Sequence, residues 1–374
     1  MSELHGNYGA HGIIFAYSAS PDMGELVRQR TLSSLPFGGR YRLIDFSLSS
    51  MMNAGIRDVG VIMQRDYQSL LDHLGSGKSW DMSRKSGGLR ILPPFGLPEY
   101  HKGNYTGTIE ALTAVSTYIR SVKQENIVLF LGNLCANVDL SAALDAHIRS
   151  GRGVTAICSD RNPADTHYRF VADESGTVTK AVFSGDGEGV ASLECYVIRK
   201  DVLVEMIDRC RAENLYRFHK DALAGYLAAG GTMGVYVHRG YVSLCRTISS
   251  YYEANMALLD SANRRDLFPA DRPVRTRSVE GVSTYYGEEA FSRNSLVADN
   301  CIIDGSIENC IVFSGARISK GAKLTNCIIM RGCTVGAGAE LNHVIADKFS
   351  AFGDGITLIG SPNLPIVVPK NSVI

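Results

Sequence analysis

The residues best suited to chemistry gather near the start of the chain, in GIIFAYSASPDMGELVRQRTLSSLPFGGRYRLIDF from Gly12 to Phe46. An apolar run, Ile13 to Ala16, reads as a strand, and the loop Tyr17-Ser18-Ala19-Ser20-Pro21-Asp22 follows it. Nucleotide-binding folds place glycines in such a loop so that backbone N–H groups can approach a phosphate. Here there is no glycine, and Asp22 sets a negative charge where donors are needed. Further on, Gly38-Gly39, Arg40, Arg42 and Asp45 form one polar stretch, with Arg28 and Arg30 just before it. Guanidinium forks suit phosphate, although arginines are also common on surfaces. The chain thus has the frame of a phosphate site around a loop that repels phosphate.

Strands and helices must hold these residues, and residues 1–262 supply both. Ile13–Ala16, Val59–Met63, Ile127–Leu131, Val154–Cys158 and Met233–His238 read as strands. Amphipathic patterns at Leu48–Ala54, Glu110–Val122, Leu140–Arg149 and Val202–Arg211 read as helices between them. This alternation predicts an α/β, Rossmann-like domain with a mostly parallel sheet. Such sheets bind ligands beyond the carboxyl ends of their strands, so the loops after Ala16 and Leu131 are where chemistry is expected. Residues 263–286, rich in arginine and without a clear period, read as a linker.

From residue 287 to 374 the pattern changes. IENCIVFSGARISKGAK (Ile307 to Lys323) aligns without a gap on LTNCIIMRGCTVGAGAE (Leu324 to Glu340), and LNHVIAD begins a third copy at Leu341. Ile307 matches Leu324, Cys310 matches Cys327, Ile318 matches Val335 and Gly321 matches Gly338. A short-period repeat of this kind predicts a three-sided parallel β-helix with stacked aliphatic and cysteine side chains inside. A helical reading fails because the spacing is not 3.6.

Composition narrows the function classes. Lys+Arg and Asp+Glu stand at 38 each, so no overall field points to nucleic acid or a membrane. No apolar run approaches the ~20 residues of a membrane span. The nine cysteines include no CxxC pair, which argues against a structural zinc site and for free thiols in a reducing compartment. A cytoplasmic location is the expectation.

Three stretches carry a resemblance. LPFGGRYRLIDFSLSSMMNAGIRDVGVIMQ (Leu35 to Gln64), NYTGTIEAL (Asn104 to Leu112) and SSYYEANMALLD (Ser249 to Asp260) closely resemble the ADP-glucose pyrophosphorylase (glucose-1-phosphate adenylyltransferase) family. The likeness extends over nearly the whole chain, and the pairing of domains with a left-handed β-helix resembles that family too. What the resemblance implies is synthesis of ADP-glucose and pyrophosphate from ATP and glucose 1-phosphate, with Mg²⁺, in bacterial glycogen biosynthesis.

It also implies where the site should be, and there the sequence departs from the pattern. The family's Gly-Gly-x-Gly-Thr-Arg loop falls on Tyr17 to Asp22, so Tyr17, Ser18 and Ser20 replace glycines and Asp22 replaces the arginine. The lysine of Arg-Ala-Lys-Pro becomes Leu32. The Gly-Asp-His metal carboxylate becomes Asn133, and the aspartate of Trp-x-Asp-Val-Gly-Thr becomes Leu244. The Glu-Lys-Pro lysine has no counterpart between Lys180 and Lys200. Retained are Tyr105, Gly107 and Thr108, with Lys220-Asp221 from another segment. Two readings stay open for this stretch: Gly38, Gly39 and Asp45 hold a turn and a helix start, or Arg28, Arg30, Arg40 and Arg42 face a sugar phosphate or phosphorylated effector.

This pattern is similar to the family's D-type subunit, a largely or wholly non-catalytic partner of a catalytic chain. The expectation is therefore a heterotetramer formed through the β-helix and α/β domains. Mg²⁺ would be required by the catalytic partner and no cofactor held by this chain. A low-activity adenylyltransferase and a sensor of ADP-glucose or a sugar phosphate stay open as alternatives.

Overall fold

The computed structural model describes residues 9–17, 22–85, 87–93, 105, 107–161, 163, 166–183, 187–278 and 281–374. The first domain is built on a nine-stranded sheet in the order Val178–Val182, Arg169–Ala172, Val190–Arg199, Asn126–Leu131, Ala10–Phe15, Val59–Ile62 and Leu89–Leu92. Val154–Ser159 also pairs with Val190–Arg199 and carries Met233–His238 on its other side. All strands but Val190–Arg199 and Val178–Val182 run one way, so the sheet is mostly parallel.

The strands are apolar because both faces are covered. Ile14, Val59, Val61, Val128 and Phe130 face one core with Leu48 and Met51 of the helix Ile44–Asn53. Their neighbours Ile13, Phe15, Ile62, Ile127 and Leu129 face the other core, with Ile109 and Leu112. The helix expected over Glu110–Val122 is two helices, Thr108–Ala114 and Ser116–Ser121. They meet at Val115, whose φ of −103° and ψ of 16° break the helical run.

The second domain is a left-handed β-helix of three five-stranded parallel sheets. Ile307, Leu324, Leu341 and Leu358 stack in one sheet, and Ile311, Ile328 and Ile345 in another. Arg317-Ile318 on Thr334-Val335 continues the repeat read from the sequence. Asn294, Asn309 and Asn326 turn one corner with φ of 44°, 50° and 53°. Asparagine tolerates this left-handed conformation, and the next side chains, Cys310 and Cys327, fill the coil interior. The Asn–Cys pairs of the sequence therefore divide the work of turning and packing. All nine cysteines are buried and free.

The domains share one apolar core. Tyr251, Tyr252 and Leu258 pack in a continuous cluster with Phe37, Cys310, Cys327 and Ile328. The Tyr252 hydroxyl donates to the Asn326 carbonyl at 2.8 Å. Arg30 and Asp347, 317 residues apart, form an ion pair in which both side chains are buried. The irregular connection is shorter than the sequence suggests. Helix Ser261–Leu267 occupies its start, and Tyr285–Tyr286 already pairs with Ile302–Ile303 as the first rung. Among the described residues, no helix is long and apolar enough to cross a membrane.

Candidate functional site

Two clefts collect the residues that the sequence singled out. The first opens beyond the carboxyl ends of Ala10–Phe15 and Asn126–Leu131, where ligands of such sheets bind. It has a volume of about 300 Å³ and is lined by Tyr17, Asp22, Tyr105, Gly107, Thr108, Asn133, His167, Tyr168, Glu194, Arg246 and Thr247, among others. Ser18 and Ser20 lie outside the described residues.

Asn133 is buried, and its amide nitrogen donates to the Cys245 carbonyl at 3.0 Å. The Tyr17 hydroxyl is buried with no partner among the described residues, and burial pushes it well above the ordinary range. Burial, with Glu110 nearby, raises Tyr105 to about 12. Gly107 has no alternative, since a Cβ there would lie 2.1 Å from the Tyr216 carbonyl oxygen. Leu244 points away into the core, paired in register with Leu134. Leu32 is likewise a core residue, packed with Met23 and Leu35.

Mg²⁺ requires several hard oxygen ligands in near-octahedral geometry. The carboxylates lining this cleft are Asp22 and Glu194, and Glu194 is paired with Arg246 at 2.5 Å. Among the described residues, no group of three or more His, Cys, Asp or Glu side chains is placed to hold a metal ion. The described residues of this cleft do not fit that ion.

The second cleft, about 500 Å³, lies between the domains. Arg40, Arg42, Arg277, Arg331 and Lys348 line it, against Asp72 and Asp299. The Arg42 guanidinium is braced by the Ser69 carbonyl at 2.6 Å and hydroxyl at 2.9 Å. Burial lowers Arg42 to about 10, with Asp45 opposing the shift. Burial, then the neighbouring Arg42 and Arg30, lowers Lys348 to about 7. Arg40 and Arg42 thus share a basic cleft with residues from the far end of the chain.

The remaining candidates sit elsewhere. Arg28 is exposed and pairs with Glu25 one turn away. Arg30 reaches neither cleft wall, because Asp347 holds it inside the domain interface. The Asp221 carboxylate accepts from the backbone N–H groups of Arg217 at 2.8 Å and Tyr216 at 3.2 Å, so it caps a helix start. Lys220 lies on the same turn, away from both clefts. His219 is buried, bonded to the Tyr196 hydroxyl at 2.7 Å and stacked on Tyr168 at 3.6 Å. Sequence reasoning missed Glu194, Arg246, Arg331 and Lys348. Only Arg246 left a signal, since it falls on the glycine of the Trp-x-Asp-Val-Gly-Thr pattern.

Comparison with known proteins agrees with this division into two domains. Residues 25–261 match the nucleotidyl transferase family, and residues 280–362 match the GlmU-like C-terminal hexapeptide family. Glycogen biosynthesis protein GlgD of Bacillus subtilis (strain 168) is 32% identical over 97% of this chain and 96% of its own length. The glucose-1-phosphate adenylyltransferase of Geobacillus stearothermophilus is 34% identical over 77% of this chain and 76% of its own. GlgD of the same organism is 31% identical over 83% and 81%. With motifs, both domains and similarity to a GlgD protein along nearly the whole chain in agreement, the chain belongs to the ADP-glucose pyrophosphorylase (glucose-1-phosphate adenylyltransferase) family of nucleotidyl transferases.

Proposed function

We propose that this chain is a non-catalytic or weakly catalytic regulatory subunit of glucose-1-phosphate adenylyltransferase in bacterial glycogen biosynthesis. The observation that carries the reading is the fate of two carboxylate positions. Asn133 is neutral and committed to the Cys245 carbonyl, and Leu244 is buried in the core. Adenylyl transfer depends on positioned cations and donors around a dense negative charge. This cleft offers Asp22 and a self-paired Arg246 instead.

A chain that does not react changes a partner's rate by making different contacts with its active and inactive states. The shared interdomain core gives such a state a route through the molecule, and the basic cleft beside it suits a small phosphorylated effector. The partner would be a catalytic chain of the same family, in a heterotetramer, and that chain would bring the Mg²⁺ site. The test is ADP-glucose synthesis by the catalytic chain with and without this protein, with this protein alone as the blank. A silent blank with a raised rate or altered effector response in the mixture supports the reading. Product from the blank, or a mixture indistinguishable from the catalytic chain alone, refutes it.

A further inference from the structure

The cleft beyond the sheet contains a nearly buried charged pair, Glu194 and Arg246. Along Val190–Arg199, pairing with Val154–Ser159 slips between Ser192 and Cys195. Within the slip Glu194 takes a φ of 54°, a conformation that costs energy in any residue with a Cβ. Its N–H donates to the Ser192 hydroxyl at 3.1 Å, which fixes the bulge. Bulges re-aim side chains, and this one places a carboxylate in the cleft wall. There its Oε1 accepts from Arg246 Nη2 at 2.5 Å, with both side chains 12% exposed.

Arg246 is held from its own side. Its backbone N–H donates to the Ser250 hydroxyl at 3.0 Å, just ahead of the helix Ile248–Met256. The guanidinium therefore enters the cleft from one wall and the carboxylate from the other. Such a fork is what binds a phosphate ester, yet here it holds a carboxylate of its own chain. An incoming phosphate would have to break a nearly buried pair and then face Glu194 together with Asp22.

We propose that the Glu194–Arg246 pair is an internal substitute for an anionic ligand, which closes this cleft to phosphate esters while the interdomain cleft stays open to them. The inference rests on reading the cleft as non-catalytic, and it assigns Glu194 as the residue that sets ligand specificity.

The test is calorimetric titration of the full chain with glucose 1-phosphate and with inorganic phosphate, in an Arg331→Ala/Lys348→Ala background that weakens the interdomain cleft by removing two of its five arginine and lysine side chains. Without a further change, only weak binding is expected. Glu194→Gln removes the charge and keeps the shape, and should create one site per chain with affinity at least tenfold higher. Glu194→Gly, which suits the positive φ, should do the same and serves if the glutamine variant folds poorly. Glu194→Gln/Arg246→Met should keep native circular dichroism and lose the site again. The inference is overturned if the background protein binds glucose 1-phosphate as tightly as either Glu194 variant. It is equally overturned if both variants fold and neither gains a site. Either result leaves the partner-activation assay to judge the regulatory reading separately.

Discussion

Asp347→Asn should loosen the whole two-domain molecule. Asp347 is fully buried and pairs with buried Arg30 across the domain interface, while its other oxygen accepts from the Lys348 backbone N–H at 2.6 Å. Arg42 and Lys348 lie near enough to Arg30 to feel its charge; Asp347 offsets the repulsion at Lys348, and Asp45 and Asp72 offset it at Arg42. The second Arg30 terminal nitrogen is buried without a partner among the described residues, so no other acceptor stands ready. Charges about 4 Å apart interact by about 4 kcal/mol at an effective dielectric near 20. Removing one partner of a buried pair costs about 3–5 kcal/mol. The amide variant should therefore lose about 3 kcal/mol or more. Denaturant unfolding reads this through Trp80, the only tryptophan, which is buried and bonded through its indole N–H to the Arg275 carbonyl in the linker. Circular dichroism reports the β-helix in parallel, because one two-state transition cannot be assumed for two domains. Arg30→Met/Asp347→Leu should recover most of the loss, since replacing both charges by packed apolar groups is often neutral or better. A single variant within about 0.5 kcal/mol of the parent, the range of an ordinary surface change, would refute the argument. So would a double variant that loses the sum of both singles.

Two further predictions concern protons. Lys348 titrates near 7 in the folded chain against an ordinary 10.5, so the unfolded chain binds the extra proton between those values. Stability from this group therefore rises with pH across that window and is at its lowest below pH 7, where both states are charged. An anionic ligand in the interdomain cleft restores the ammonium, so binding of a sugar bisphosphate at pH 8 should take up close to one proton, and Lys348→Met should abolish the uptake. Calorimetry in buffers of different ionisation enthalpy measures it, and binding without uptake would count against Lys348 as a contact. His219 is lowered by burial from 6.5 to about 4, so the unfolded chain binds the proton between those values and stability falls as pH drops through them. Between pH 7 and 5 the loss from this residue is about 2 kcal/mol, at 1.36 kcal/mol for each pK unit. His219→Gln should flatten the denaturation midpoint against pH, and an unchanged slope would remove the residue from the account.

The fold was legible because its signals are local. Each rung of the β-helix repeats within one short period, so Ile307, Leu324 and Leu341 announce their stacking in the chain order itself. The strand–helix alternation works the same way, and it erred where a local break intervened, as at Val115. The cleft beyond the sheet was legible by position, since Tyr17, Asp22 and Asn133 line it as their place after two strands requires. Roles that depend on distant partners were not legible. Arg30 has the same chemistry as Arg42, and nothing near it in sequence marks one for an interface and the other for a cleft. The difference is made by Asp347. Glu194 is similar: an acidic residue inside a strand reads as a solvated edge until a register slip turns it inward toward Arg246. Both cases have one physical cause. A buried charge is tolerable only where its counter-charge is supplied, and in this molecule the counter-charges come from far along the chain. Arg30–Asp347 therefore forms only where the two domains meet, and Glu194–Arg246 only in the wall of the cleft that the sheet leaves open, so neither pair could be read before the fold brought its partners together.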